Sequence, residues 1–294
     1  MVEGKIVKAL SGFYYVQTPH GVLRCRARGK FRLDSLSPLV GDFAHAEETE
    51  PGSGYLLSIL PRRNEFVRPA VANVDAIVIL ASAVNPVTDP FLVDRVTVIA
   101  EHMRCGVVIC ISKSDLDPGD SLYAAFSRNT GYPVLRTSAE TGAGIAELRT
   151  ILRGKTVAFT GNSGVGKSSL LNRIAPGLGL AVGEVSERLG RGRHTTRHIE
   201  LFAAGDDTYI ADTPGFSAFD LTQMQPIRRE ELQNCFPEFR PFLGRCRFDD
   251  CMHLREPGCA VRSALDAGEI APSRYESYEK LYAISAQYKD WEQK

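Results

Sequence analysis

The sequence predicts a multidomain protein with an N-terminal all-β barrel, a central α/β domain and a C-terminal, mostly helical domain. Three observations predict this fold class. Short alternating strand-like runs precede residue 67, strands alternate with helices from about residue 74, and Cys and His crowd together near the C-terminus. We place the three domains at residues 1–66, 67–218 and 219–294.

Composition narrows the class of protein. With 44% hydrophobic residues, the chain has enough apolar surface for globular cores. Lys plus Arg (35) balance Asp plus Glu (35), so attraction to nucleic acid must come from local clusters of charge. The first residues lack an apolar signal core, and the longest apolar run, at 76–84, is too short to span a bilayer. We therefore expect a cytoplasmic monomer without membrane contact.

The first two domains are predicted from the periodicity of apolar residues. Runs such as GKIVKAL and GFYYVQT alternate like strands and are broken by glycine, which is typical of a small barrel. In the second domain, VDAIVILASAV predicts a buried strand, and the next segment predicts a helix capped by Asp89 with Pro90 in its first turn. Leu92, Val96 and Ile99 recur at helical spacing there. Strands that alternate with helices predict a parallel sheet.

A phosphate-binding loop follows the predicted strand TVAFT. GNSGVGKSS fits G-x-x-x-x-G-K-[ST] and precedes a predicted helix, the context that the motif requires. Its backbone N–H groups can surround phosphate oxygens, Lys167 can contact the β- and γ-phosphates, and Ser168 can bind Mg²⁺. An accidental glycine-rich turn is the alternative, which the flanking elements disfavour. The predicted contacts are Gly161, Asn162, Ser163, Gly164, Val165, Gly166, Lys167, Ser168 and Ser169.

Two downstream segments complete the expected triphosphate site. DTPG supplies Asp212, which can hold Mg²⁺ through water, and Gly215, whose N–H can contact the γ-phosphate. Between it and the phosphate loop, a hydroxyl of Thr195 or Thr196 can complete the Mg²⁺ shell while the γ-phosphate is present. The sequence does not distinguish the two threonines. We assign Thr196 to Mg²⁺ and to catalysis with Lys167; a solvated basic loop is the alternative for this segment.

Base-reading motifs stand before the phosphate loop in this chain. SKSD (Ser112, Lys113 and Asp115) resembles the N-K-x-D guanine reader, and TSA contains Ser138 and Ala139. In a Ras-like GTPase both motifs come last. The shuffled order predicts a circularly permuted Ras-like P-loop GTPase, a rearrangement that is tolerated where chain termini lie close together.

The chain resembles the ribosome small subunit-dependent GTPase A family (RsgA, YjeQ-like) over almost its whole length. RRNEFVRPAVANVD, GRHTTR, DTPGF and the C-terminal cysteines carry the resemblance. It implies an N-terminal OB-fold, a zinc domain, and GTP hydrolysis that the small ribosomal subunit stimulates during its late maturation, with that subunit and its rRNA as partners. We further expect that the nucleotide state, GTP or GDP, controls association with the subunit and release from it.

Two positions depart from the GTPase patterns. Ser112 stands where N-K-x-D has Asn, although Asp115 can still accept from guanine N1–H and the 2-amino group, which adenine lacks. Phe216 stands where Ras has the glutamine that orients water. His194 is the candidate to replace that glutamine; alternatively, it packs or contacts RNA. A P-loop ATPase or kinase and a non-catalytic RNA-binding scaffold are the rival functions.

The C-terminal cysteines have metal-ligand spacing. Cys246, Cys251, His253 and Cys259 form C-x4-C-x-H-x5-C, which suits a closed, structural Zn²⁺ site without an open position for substrate. Metal binding would supply much of the folding free energy of so short a segment. Four unrelated buried residues are the alternative.

Basic residues suggest an RNA-binding face on the barrel. Strand geometry would align the cations of RCRARGKFR on one face, as on OB-folds that bind nucleic acid. A solvated strand face is the alternative. The expected RNA contacts are Arg24, Arg26, Arg28, Lys30 and Arg32, to which Arg62, Arg63 and Arg68, and Arg188, Arg191, Arg193 and Arg197, add further positive charge.

Overall fold

A computed structural model describes residues 1–27, 31, 37–67, 70–179, 200–212 and 227–286. These residues form two compact units. The described part of the first unit falls within Met1–Ile77, Arg149–Phe159 and Ser168–Ser217, and that of the second within Val78–Leu148, Thr160–Lys167 and Ala218–Lys294. The sequence-based domain boundaries stay predictions.

Five strands at the N-terminus form a closed barrel in the first unit. They are β1 (Val2–Leu10), β2 (Phe13–Thr18), β3 (Gly21–Ala27), β4 (Phe43–Glu50) and β5 (Ser53–Ile59). The order is β1-β2-β3-β5-β4, and pairing of β1 with β4 closes it. Only β3 and β5 of these strands run parallel. Ile6, Val16, Cys25 and Leu56 fill the interior with 0% exposure, as the alternating pattern predicts.

The first unit contains further strands beside the barrel. These are β6 (Glu65–Val67), β7 (Ala70–Ala72), β11 (Thr156–Gly161, of which Thr156–Phe159 belong to this unit), β12 (Glu200–Ala203) and β13 (Tyr209–Asp212). β13 pairs parallel with β11 and antiparallel with β12. Strand β1 of the barrel continues this sheet at the edge of β12, where Lys8 is opposite Glu200 and their side chains form an ion pair at 2.7 Å.

Lys5 reinforces the link between the barrel and this sheet. Its Nζ donates to Thr156 Oγ1 at 2.7 Å and lies 4.9 Å from the ring centroids of both Phe43 and Tyr209. Burial lowers the pKa of Lys5 below its usual value. The barrel is therefore joined to β11 and β13 by side chains as well as by strand pairing.

The second unit holds the other α/β elements and the C-terminal segment. Its elements are β8 (Ala76–Ser82, from Val78 onward), α1 (Pro90–His102), β9 (Gly106–Ser112), α2 (Asp120–Ser127), β10 (Val134–Arg136), α3 (Ile145–Leu152, up to Leu148), α5 (Arg229–Leu232), α6 (Ala260–Asp266) and α7 (Pro272–Ser285). Helix α4 (Lys167–Ile174) begins in this unit with Lys167, and its remaining residues belong to the first unit. β9 lies between β8 and β10 and runs parallel to β10. Asp89 caps α1 by accepting from Phe91 N at 2.9 Å, as predicted.

Helix α1 is buried on more than its predicted apolar face. Leu92, which belongs to that face, is 36% exposed, whereas the polar Asp94 and Thr97 are fully buried. The cause is Arg274 of α7, which donates to Asp94 Oδ1 at 2.5 Å and to Thr97 Oγ1 at 3.0 Å. Apolar periodicity could not reveal this face because its contacts are polar.

Arg274 also binds the 3₁₀ segment Pro237–Phe242. Its Nε and one terminal nitrogen donate to the Glu238 carboxylate at 2.6 and 3.1 Å. Phe236 covers the guanidinium at 4.9 Å. Burial raises the pKa of Asp94, and the charge of Arg274 opposes that shift. One buried cation thus joins α1, α7 and the segment between α5 and the cysteines.

We predict that Arg274→Met lowers the free energy of unfolding by about 3–5 kcal/mol, because it leaves two buried carboxylates without a cation. Urea denaturation followed by circular dichroism measures the change. Arg240→Met is the control, since its side chain pairs with Glu101 but is 54% exposed; it should cost less than about 1 kcal/mol. Equal losses in the two variants would contradict this account of the anchor.

Candidate functional site

The phosphate loop connects β11 to α4, and its glycines adopt conformations that favour glycine. Gly161, Gly164 and Gly166 have φ values of 150°, 77° and 99°. A Cβ atom at Gly161 would lie 2.7 Å from the carbonyl oxygen of Leu80. Val165 is fully buried and anchors the loop. Helix α4 begins at Lys167, so the positive end of its dipole lies at the loop, where it favours an anion.

The SKSD segment contacts this loop directly, although 53 positions separate the two residues that meet. Ser112 ends β9 and is 5% exposed. Its hydroxyl lies 2.7 Å from the carbonyl oxygen of Val165 and 3.1 Å from that of Ala81. Both partners are acceptors, so the single hydroxyl hydrogen is used inside the protein. Ser112 therefore braces the phosphate loop.

Lys113 and Asp115 follow in a tight turn. Lys113 has a positive φ of 56°, and its carbonyl accepts from Leu116 N at 2.9 Å. Its ammonium donates to the carbonyl oxygen of Asn85. Asp115 is exposed, so its carboxylate is accessible to a ligand.

The TSA segment lies beside SKSD. Ser114 N donates to the carbonyl of Thr137 at 3.2 Å, and Thr137 N donates to that of Ile111 at 2.7 Å. Ser138 is buried, and its hydroxyl accepts from Thr141 N at 3.1 Å, which shapes the turn that contains Ala139. The structure thus brings both predicted base-reading segments to one place beside the phosphate loop.

The remaining predicted residues of the triphosphate site are only partly described. Ser168 and Ser169 lie in the first turn of α4 and are half-buried. Asp212 is the last residue of β13. His194, Thr195, Thr196 and Gly215 lie outside the described residues. Their roles, and those of the nucleotide contacts above, stay predictions.

The predicted metal ligands converge on one point. The ligand atoms of Cys246, Cys251, His253 and Cys259 all lie within 4.8 Å of one another. The three Sγ atoms are 3.5, 3.5 and 3.4 Å from His253 Nδ1. Bonds of about 2.3 Å to sulfur and about 2.0 Å to nitrogen at a tetrahedral angle place S and N about 3.5 Å apart. The cluster therefore fits Zn²⁺ in donor type and spacing.

Hydrogen bonds prepare the cluster for a cation. Burial lowers the pKa of His253, which favours the neutral imidazole. His253 Nε2 lies 2.7 Å from Gln233 Oε1; an amide oxygen can only accept, so Nε2 carries the hydrogen and Nδ1 keeps its lone pair for a metal. Ala260 N and Arg262 N donate to the sulfurs of Cys246 and Cys259 at 3.3 and 3.4 Å.

Tyrosines of α7 hold the ligand loop. Tyr275 donates to the carbonyl of His253 at 2.6 Å, and Tyr278 donates to that of Met252 at 2.7 Å. Both rings are buried, and neither Gln233 nor these contacts have a sequence signal.

The outer face of β2 and β3 carries the described part of the basic stripe. Arg24 and Arg26 are exposed, and their guanidinium carbons lie 4.8 and 4.7 Å from the ring centroid of Phe13. Tyr15 is opposite Arg24, and the 41% exposed Tyr55 is beside Arg26. The other predicted cations lie outside the described residues: Arg28, Lys30, Arg32, Arg68, Arg188, Arg191, Arg193 and Arg197.

Two arginines expected to strengthen the stripe are engaged in ion pairs. Arg62 is 12% exposed and pairs with the buried Asp42 at 2.7 Å and with Glu65 at 2.5 Å. Arg63 pairs with Asp75 at 2.7 Å. These carboxylates offset part of the positive charge locally, and the contribution of both arginines to RNA attraction stays a prediction.

Comparisons with known proteins agree with the geometry over most of the chain. Residues 3–56 match the family described as RsgA N-terminal domain, and residues 59–222 match that described as RsgA GTPase. Two relatives are named small ribosomal subunit biogenesis GTPase RsgA. That of Caldanaerobacter subterraneus subsp. tengcongensis is 46% identical over 279 residues, covering 94% of this chain and 93% of its own. That of Geobacillus kaustophilus is 47% identical over 288 residues, covering 96% and 97%.

Solved structures are similar over the same length. The crystal structure of YjeQ from Thermotoga maritima has a TM-score of 0.84 at 36% identity, covering 98% of this chain and 99% of its own. YloQ, described as a circularly permuted GTPase, has a TM-score of 0.81 at 38% identity, covering 98% and 96%. The predicted fold class, with its barrel, permuted GTPase domain and Cys/His domain, is confirmed. Within the described ranges, every helix is too short or too polar to span a bilayer.

We predict that Gln233→Ala weakens Zn²⁺ binding by about 10–100-fold, because the imidazole of His253 loses the partner that fixes its tautomer. Competition with a chromogenic chelator measures the affinity. Asn234→Ala, which removes a neighbouring exposed amide, should leave the affinity unchanged. Loss of affinity in both variants, or in neither, would contradict this role of Gln233.

Proposed function

The chain belongs to the RsgA GTPase family and hydrolyses GTP, and from that premise we propose that it acts on the small ribosomal subunit during late maturation. It binds the immature particle and its rRNA, and converts GTP to GDP and phosphate there. The names of the relatives support the particle, since both are called small ribosomal subunit biogenesis GTPases.

One observation carries the assignment of the nucleotide site. The Ser112 hydroxyl lies 2.7 Å from the carbonyl oxygen of Val165, so the base-reading segment is bonded to the phosphate loop. A nucleotide whose phosphates lie in residues 161–169 can then present its base to Asp115. The carboxylate accepts from guanine N1–H and the 2-amino group, which favours GTP and GDP over adenine nucleotides.

The metal and water roles follow from residue chemistry. Oxygen ligands from Ser168, Thr196 and Asp212 suit Mg²⁺, which would neutralise charge on the β- and γ-phosphates. Lys167 stabilises the charge that develops during phosphoryl transfer. His194 orients the attacking water, a role that Phe216 cannot perform. Zn²⁺ in the Cys246 cluster is structural.

The nucleotide state controls binding and release. Residues 188–198 and the segment after Asp212 would respond to a bound γ-phosphate with Mg²⁺, and hydrolysis would reverse that response. The buried Arg274 contacts hold the metal-binding segment to α1. The protein works as a monomer in the cytoplasm.

The barrel face contacts rRNA. Arg24 and Arg26 supply charge for phosphates, and Phe13, Tyr15 and Tyr55 supply flat surfaces for bases, the combination found on OB-folds that bind single strands.

We predict that purified small subunits raise the rate of GTP turnover and that large subunits do not. Lys167→Ala should lower the stimulated rate by at least about a hundredfold, because it removes a charge from the reacting phosphates. Phosphate release measures both. Lys155→Ala is the control, since that ammonium bonds the Ile151 carbonyl and lies at the other end of β11. Stimulated turnover that persists in Lys167→Ala would refute the site.

We predict that the double variant Arg24→Ala with Arg26→Ala binds single-stranded RNA with a weaker dependence on salt. Each lost phosphate contact should reduce the slope of log K against log salt by about 0.7. Fluorescence anisotropy with a labelled oligonucleotide measures the slope. Arg153→Ala removes a cation of the same unit that is 73% exposed and should not change it. An unchanged slope in the double variant would exclude this face.

A further inference from the structure

The loop between β8 and α1 is closed by reciprocal hydrogen bonds. Ser82 N donates to Thr88 Oγ1 at 2.9 Å, and Thr88 N donates to the carbonyl of Ser82 at 2.8 Å. The Ser82 hydroxyl donates to the carbonyl of Val84 at 2.8 Å. Both closing residues are buried, with 0% and 3% exposure. These bonds define the backbone of the Ser82–Thr88 loop.

This loop contacts both parts of the nucleotide site. The carbonyl oxygen of Asn85 accepts from the ammonium of Lys113. The ring of Pro86 lies against Gly164 of the phosphate loop, where an added Cβ would be 3.4 Å from Pro86 Cδ. The closed loop is therefore held next to the phosphate loop while it bonds the base-reading segment.

A lysine whose ammonium is held loses freedom before any ligand arrives. Its four-carbon stem is apolar and can lie along the face of a purine, but a free stem must be ordered when the base binds. Asn85 supplies a main-chain acceptor, and a main-chain oxygen in a closed loop has a defined position. The contact therefore preorganises Lys113.

We propose that the Ser82–Thr88 loop is a positioning element of the nucleotide site, which holds Lys113 through the Asn85 carbonyl so that its stem receives the guanine base. The inference rests on the proposed nucleotide role of Lys113 and deepens it. The loop acts on binding and dissociation of the nucleotide, and not on phosphoryl transfer, because it bonds the base-reading side chain.

A double-mutant cycle on GDP affinity tests this coupling. Lys113→Met keeps most of the stem but removes the ammonium, and Thr88→Val removes the hydroxyl that closes the loop. Each single variant should raise the Kd for GDP by about tenfold, the effect expected for a lost hydrogen bond to a charged group or to a buried N–H. The double variant should be no weaker than Lys113→Met alone, since the loop has then lost the ammonium through which it acts.

Two further readouts separate positioning from a general loss of structure. Thr88→Val should raise the KM for GTP while kcat stays the same, and Thr88→Ser, which keeps the hydroxyl, should restore the affinity for GDP. Thr130→Val is the matched control: its hydroxyl is also buried and bonded to main chain, at the carbonyl of Phe126. It should not change GDP affinity.

If Thr88→Val does not fold, Ser82→Ala takes its place in the cycle with the same expectations.

The outcomes distinguish this proposal from the function on which it rests. If the effects of Thr88→Val and Lys113→Met multiply, or if Thr88→Val leaves the Kd unchanged, the loop does not act through Lys113 and the inference is overturned. If Lys113→Met itself leaves the Kd unchanged, the assignment of Lys113 to the nucleotide site fails instead.

Discussion

The hydrogen bond from Ser112 to the carbonyl of Val165 is the contact on which the nucleotide site depends. In this permuted chain, the SKSD segment precedes the phosphate loop, and no short connection aligns the two. A buried bond between the two segments supplies that alignment. A hydroxyl is sufficient for this bond, but its one hydrogen is then unavailable to the base, and the proposed function therefore leaves discrimination between purines to Asp115.

The C-terminal segment depends on a different kind of constraint. It is short, and its polar contacts are arranged around two centres: the Cys/His cluster, and Arg274 with its two carboxylates. Tyr275 and Tyr278 come from the same helix as Arg274 and bond the backbone of the ligand loop. Helix α7 therefore contributes both to the backbone around the Cys/His cluster and to the attachment to α1.

Much of the fold and part of the site could be predicted from the sequence. Glycines at fixed spacing between a strand and a helix identified the phosphate loop, and ligand types at short spacing identified the metal cluster, because both motifs are local. The burial of Asp94 and Thr97 could not be predicted, since apolar periodicity carries no information about a buried arginine far along the chain. Gln233 contacts His253 through one side-chain oxygen, and Asn85 contacts Lys113 through one main-chain oxygen. Single contacts of this kind leave no pattern in the sequence. The ion pair of Arg62 could not be predicted for a related reason: charge counts do not show that Asp42 lies beside it.

The central claim is that shuffled segments of this chain surround one guanine nucleotide, and a crystal structure with bound GDP tests it most directly. The account predicts that the Asp115 carboxylate lies about 2.8 Å from guanine N1 while Lys167 contacts the β-phosphate. A guanine base bound away from Asp115, with the phosphates still in residues 161–169, would contradict it.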